Sequence, residues 1–163
     1  MNVTKRNIVD MNVLDLQLVS ESKNLPSQDQ FQYWVDSVLK DDSQDSEIVI
    51  RVVDEDEMTQ FNEQYRNKTG STNILSFPFD APDAVESDLL GDLLVCAAVV
   101  EREAQQQDKI LEHHWAHMIV HGVLHLLGYD HIDDQDAEEM EALEVKILKT
   151  IKINNPYEEK SSK

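Results

Sequence analysis

His121-Gly122-Val123-Leu124-His125-Leu126-Leu127-Gly128-Tyr129-Asp130-His131 brings three strong metal ligands to a fixed spacing, and the rest of the chain is read outward from it. His121 and His125 are one helical turn apart, so on an α-helix their imidazoles point the same way and form a two-pronged clamp. A straight helix cannot wrap around an ion, and zinc takes about four ligands. Gly128 can adopt the left-handed conformation that ends a helix without a Cβ penalty, so the spacing predicts a turn that carries His131 back onto the pair. Three histidines with one open position form the coordination of a catalytic ion, because a closed structural site would have a fourth protein ligand. One zinc ion held by His121, His125 and His131 is therefore expected on a central helix.

The same spacing, His-x3-His-x2-Gly-x2-His, occurs in metzincin peptidases, where the residue after the first His is the glutamate general base. Here that residue is Gly122. A zinc peptidase or amidase is the alternative reading, and it lacks its base.

Around the motif the apolar periodicity predicts elements in the order βαβαββααα. Val13 onward alternates as a strand. Phe31, Trp34, Val35 and Val38 form a helical stripe after Pro26-Ser27, and Glu47–Val53 is a β-branched strand. Asp54 and Glu57 have the spacing of a capping box for a helix ending near Arg66. Thr72–Phe79 and Leu89–Cys96 read as a long-looped hairpin, with Pro78 marking an edge or a strand end. Polar turns are expected at 41–46 and 80–88. Three helices follow: one from Ala98, the histidine helix from Ile110 to Leu127, and a last one capped by Asp133 or Asp134. His113 and His114 are assigned to the surface, and His117 to a supporting or substrate contact. The predicted fold is α+β, with a small mixed sheet of about four strands covered by helices. Residues 1–153 form a single zinc hydrolase domain, and 154–163 a frayed C-terminal tail.

Fourteen basic residues against 33 acidic ones give a net charge of −19, the wrong sign for wrapping a phosphate backbone. A nucleic-acid substrate would then need a local basic patch or delivery by a partner, and binding to naked RNA is expected to be weak and strongly salt-sensitive. No apolar run has the length of a signal peptide or a membrane span, which predicts a cytoplasmic protein without a membrane partner. The single cysteine, Cys96, lies among small apolar residues and reads as a buried hydrophobe.

The histidine motif, together with Arg66, Thr72-Asn-Ile-Leu-Ser-Phe77 and Gly91-Asp-Leu93, resembles the signature of the YbeY family of bacterial zinc-dependent endoribonucleases, over roughly Ile48 to Tyr157. The resemblance implies a single-strand-specific endoribonuclease that matures rRNA, above all the 3′ end of the small-subunit (16S) rRNA, and acts in ribosome quality control. It also implies partners on the small ribosomal subunit and among its assembly factors, and a functional arginine at Arg66. A guanidinium there suits bidentate capture of a phosphate. One position departs: Asn73 stands where many members carry Asp. Tyr129, Asp130 and His117 remain open as general bases. Asp130 also reads as an acceptor for a histidine N–H, and Asp92 as a weak ligand candidate.

Overall fold

The computed structural model describes residues 12–40, 46–79, 88–130 and 133–157. Its elements are β1 (Val13–Leu18), α1 (Gln28–Leu39), β2 (Glu47–Val53), α2 (Glu55–Arg66), β3 (Ile74–Pro78), β4 (Leu89–Cys96), α3 (Ala97–Gln106), α4 (Leu111–Leu126) and α5 (Asp134–Thr150). This is the order expected from periodicity. The turn expected at 41–46 and the loop at 80–88 lie almost entirely outside the described residues.

The strands form one mixed sheet in the order β1-β2-β4-β3, parallel across the first three and antiparallel at β3. Alternation decides what each face buries. Ile48, Ile50 and Val52 of β2, with Leu93 and Val95 of β4, face a main core shared with Phe31, Trp34, Trp115, Ile119 and Leu148 from α1, α4 and α5. The intervening residues, Leu75, Leu94 and Cys96, face the other way and pack with Met58 of α2. Phe31 meets Trp34 and Trp115 edge-on, each at 5.7 Å between ring centroids, which locks α1 against α4. The helix that carries the histidines is thus the hub of an α+β single domain, touching α1, α3, α5, β3 and β4.

Two helix starts differ in where their capping partners come from. Ser27 caps α1 in a complete capping box: its hydroxyl accepts from the Gln30 amide at 3.2 Å, and Gln30 Oε1 accepts from the Ser27 amide at 2.9 Å. The box expected at Asp54 does not form. The Asp54 carboxylate instead accepts from Ser20 Oγ at 2.6 Å and the Glu21 amide at 3.2 Å, while Glu57 pairs with Arg51 at 2.7 Å. Tertiary donors outcompeted the local ones. After α2, Asn67 takes the left-handed conformation (φ 57°) and donates its N–H to the Asn62 carbonyl, and Asn62 Nδ2 donates to the Gly70 carbonyl at 2.9 Å.

Residues 153–157 run back along α4. Ile153 is buried, and Lys109 Nζ donates to the Pro156 carbonyl at 3.1 Å. Of the tail expected from 154 onward, 158–163 lie outside the described residues. Among the described residues no helix is long and apolar enough to cross a membrane.

Candidate metal centre

A cleft of about 470 Å³ opens between the C-terminal end of α4, the edge strand β3 and the end of α2, and Arg66, Ser76, His121, His125, Tyr129 and Asp130 are among the residues that line it. The two helical histidines meet there as their spacing predicted: His121 Nε2 and His125 Nε2 face each other at 3.1 Å. The opposite nitrogen of each ring is committed elsewhere. His125 Nδ1 lies 3.0 Å from the Tyr129 carbonyl, which can only accept, so the ring carries its proton on Nδ1. His121 Nδ1 lies 2.5 Å from Glu144 Oε2 and donates to that carboxylate. In the neutral rings both Nε2 lone pairs therefore point at the same small volume, and a cation is what such a pair accommodates. Gly128, at φ 107°, supplies the left-handed turn that ends α4. His131, the expected third ligand, lies outside the described residues.

Glu144 is the residue the sequence reading missed. It sits on the buried face of α5 between Met140 and Leu148, with 0% of its surface exposed. Three groups donate to it: His121 to one oxygen, and His117 Nε2 (3.1 Å) and the Tyr157 hydroxyl to the other. Burial alone would raise this carboxyl, but its donors, His117 and His121 foremost, overcome it and lower it to about 2, so it is an anion. Burial lowers His117 below its ordinary value against the pull of Glu144, keeping it neutral. Burial, then the shared hydrogen bond with Glu144, pushes the Tyr157 phenol well above its usual range. His117, His121 and Glu144 bring ligand atoms within 4.8 Å of one another and could hold a metal ion as a set. On that side of His121, however, hydrogen bonds already span both His–Glu pairings, whereas the Nε2 side opens to the cleft. The sequence did hold one signal for Glu144: a carboxylate in the middle of an apolar helical stripe.

Sheet geometry sorts the other candidates. Arg66, the last residue of α2, is exposed and lines the cleft, and it makes no ion pair or hydrogen bond among the described residues. Asp92 does not join the site. It pairs with Val49 and Phe77, so its side chain leaves the sheet on the α2 face, opposite the histidines, where burial and then Asp15 raise its carboxyl. His114, expected at the surface, is buried with its Nε2 2.9 Å from Glu103 Oε1, and Asn73 Nδ2 reaches both Glu103 oxygens at 3.2 Å. Burial would lift the Glu103 carboxyl, but these donors hold it below its usual value. Asn73 thus donates where an Asp could only repel. Gly122 faces the sheet: a Cβ there would meet Ile74 Cδ1 at 2.7 Å and Leu93 Cδ2 at 2.9 Å, so a carboxylate at this position would aim into apolar packing.

The family model described as endoribonuclease YbeY matches residues 17–152, most of the chain. The chain belongs to the YbeY endoribonuclease family. With that family comes a role as an endoribonuclease in rRNA processing. Among solved structures, the chain resembles the solution structure of TM1509 from Thermotoga maritima at 24% identity and a TM-score of 0.56. The match covers 91% of this chain and 99% of that one, and it shows the fold. The YbeY match encloses the whole cleft from Arg66 to Asp130 and α5 with Glu144, but stops short of Tyr157.

Proposed function

We propose that this protein is a zinc-dependent, single-strand-specific endoribonuclease of the cytoplasm that matures the 3′ end of small-subunit rRNA and serves ribosome quality control, with the small ribosomal subunit and its assembly factors as partners. One observation carries the reading: two Nε2 lone pairs converge at 3.1 Å in a cleft that also presents Arg66. Two nitrogens each about 2.0–2.1 Å from a common tetrahedral zinc are roughly 3.3 Å apart, close to this separation. His121 and His125 would bind through Nε2, with His131 as the third ligand. Zinc so held supplies Lewis acidity, which acidifies water and polarises a phosphoryl oxygen.

The chain's own groups do the remainder. Glu144 and the Tyr129 carbonyl hold the protons on Nδ1 of the two rings, keeping Nε2 available. Arg66 meets a phosphodiester with its planar fork and offsets the charge that builds on the phosphorus centre. Arg66 is the only lysine or arginine lining the cleft among the described residues, so the basic patch needed to offset a charge of −19 reduces there to one side chain. That favours RNA delivered by a ribosomal partner. The peptidase alternative is weakened further, because position 122 has neither a carboxylate nor a path for one into the cleft.

The decisive experiment compares wild type, Arg66→Ala and His125→Ala for bound metal, melting temperature and turnover of a labelled single-stranded rRNA precursor, with casein as the control substrate. His125→Ala should lose metal and RNA cleavage together. Arg66→Ala should keep its metal and lose cleavage by about 10²–10³-fold, the usual effect of removing one charge-stabilising donor. Undiminished RNA turnover by metal-free His125→Ala would overturn the reading, and casein turnover lost with zinc would replace it.

A further inference from the structure

We infer that Glu144 is the positioning residue of the metal centre, held in place by His117 and by Tyr157 from the segment after α5, so that the C-terminal segment helps set the affinity of the site for its cation. The inference rests on the metal reading above and extends it to a residue outside the histidine motif.

A carboxylate with no exposed surface is tolerated only when donors replace its water. Here they come from two elements. His117 and His121 sit one turn apart on α4, and Tyr157 arrives after α5 has ended. The donors are divided between the oxygens. Among the described residues, Oε1 takes both His117 and Tyr157, and Oε2 takes His121. The first pair fixes the plane of the carboxylate, and that plane then fixes the His121 ring. Among the described residues His117 Nδ1 is buried with no partner, as expected of a lone pair whose ring keeps its hydrogen on Nε2, facing Glu144. Tyr157 also packs edge-on to the His117 ring at 5.2 Å between centroids, so the phenol and imidazole restrain each other.

The consequence for His121 is a choice of tautomer. With Glu144 accepting at Nδ1, the lone pair stays on Nε2 and faces His125. Without that acceptor, the hydrogen is free to occupy Nε2, where it would block the cation. Tyr157 and His117 touch neither the cleft nor His125, yet through Glu144 they bear on which nitrogen can ligate.

The test uses the full chain and its Glu144→Gln and Tyr157→Phe variants, with His125→Ala and the core variant Ile147→Val as controls. Zinc affinity is measured by competition with a chromophoric chelator, and the tautomers of the metal-free protein by long-range ¹H–¹⁵N correlation of the imidazoles; thermal melts report folding. Glu144→Gln should lower zinc affinity roughly 10–100-fold, the usual effect of removing an outer partner of a ligating histidine, and should shift the His121 ring away from the Nδ1-protonated form. Tyr157→Phe should lower affinity by a smaller factor with the same direction of tautomer shift. Ile147→Val should lower the melting temperature and leave affinity and tautomer alone. Unchanged affinity and tautomer in folded Glu144→Gln and Tyr157→Phe would overturn the inference and leave the nuclease reading standing. Zinc retained by His125→Ala but abolished in Glu144→Gln would also overturn it, since Glu144 would then be a ligand. A wild-type protein that binds no zinc would overturn both.

Discussion

At Gly91 the backbone of β4 passes so close to β3 that an added Cβ would meet the Phe77 carbonyl oxygen at 2.4 Å and the Pro78 Cα at 2.9 Å, with φ at 146°. Neither atom belongs to a side chain that can swing away. Gly91→Ala should therefore cost about 3 kcal/mol or more, read as a lowered urea midpoint. Gly128→Ala, where φ is 107° but nothing among the described residues lies within 4 Å, should cost only about 1–2 kcal/mol. Acid should act through the buried carboxylate hub. Glu144 is lowered from 4.5 to about 2, so between those values the unfolded chain binds the proton and the folded chain does not. Its stabilisation is complete above about pH 4.5 and is lost as pH falls toward 2. His117, lowered from 6.5 by burial, acts in the same direction and begins to erode stability as pH drops below that value. Urea melts of the metal-free protein from about pH 7 down to 3 should thus show a monotonic loss, and Glu144→Gln should flatten the part below about pH 4.5. His121 and His125 were legible because four residues separate them on one helix, whereas Glu144 lies 23 residues from His121 on another helix and no period connects them.

Periodicity carried most of the element boundaries. The β2 strand falls where the β-branched run put it, and α2 ends at Arg66 where the apolar stripe put it. Capping was legible at Ser27, whose partner Gln30 is local, and illegible at Asp54, whose donors Ser20 and Glu21 come from the far end of β1. His114 was misplaced for a related reason. α4 is apolar on nearly every side, so its stripe gives no hint of which histidines face solvent. Between α2 and β3, Asn62 takes up the loop that follows Arg66, accepting at its carbonyl from the Asn67 amide and donating from Nδ2 to Gly70. Asn62→Ala should cost about 1 kcal/mol, the net worth of one hydrogen bond, because the exposed Gly70 carbonyl can turn to water. Because that loop anchors the end of α2, the variant should also lower RNA cleavage while leaving bound metal unchanged, measured on the same preparation.

On the scale of the whole molecule, charge and site pull in different directions. With a net charge of −19 and, among the described residues, one arginine in the cleft, affinity for isolated RNA should be weak, and Arg66→Ala should make the dependence of log K on log salt shallower by about 0.7, one single-stranded phosphate contact. Fluorescence anisotropy over a salt series checks this; an unchanged slope would remove Arg66 from the phosphate contact. The mixed sheet was legible as a class, since a hairpin following two strand-helix units leaves few other arrangements. Which strand would lie outermost was not legible beyond the hint of Pro78, because that depends on the pairing of β2 with β4 across the chain. Its consequence reaches past the cleft. The register pairs Phe79 with Leu90 and Asn73 with Cys96 through hydrogen bonds, so by alternation Ile74 and Ser76 turn their amides outward, away from β4. A bare row of backbone donors and acceptors invites another extended chain, including a second molecule at high concentration, to add itself to the sheet. Five residues of strand ending in a proline that cannot donate leave such an intruder little to hold, which lets this wall of the site stay open to a substrate without becoming a seed for aggregation.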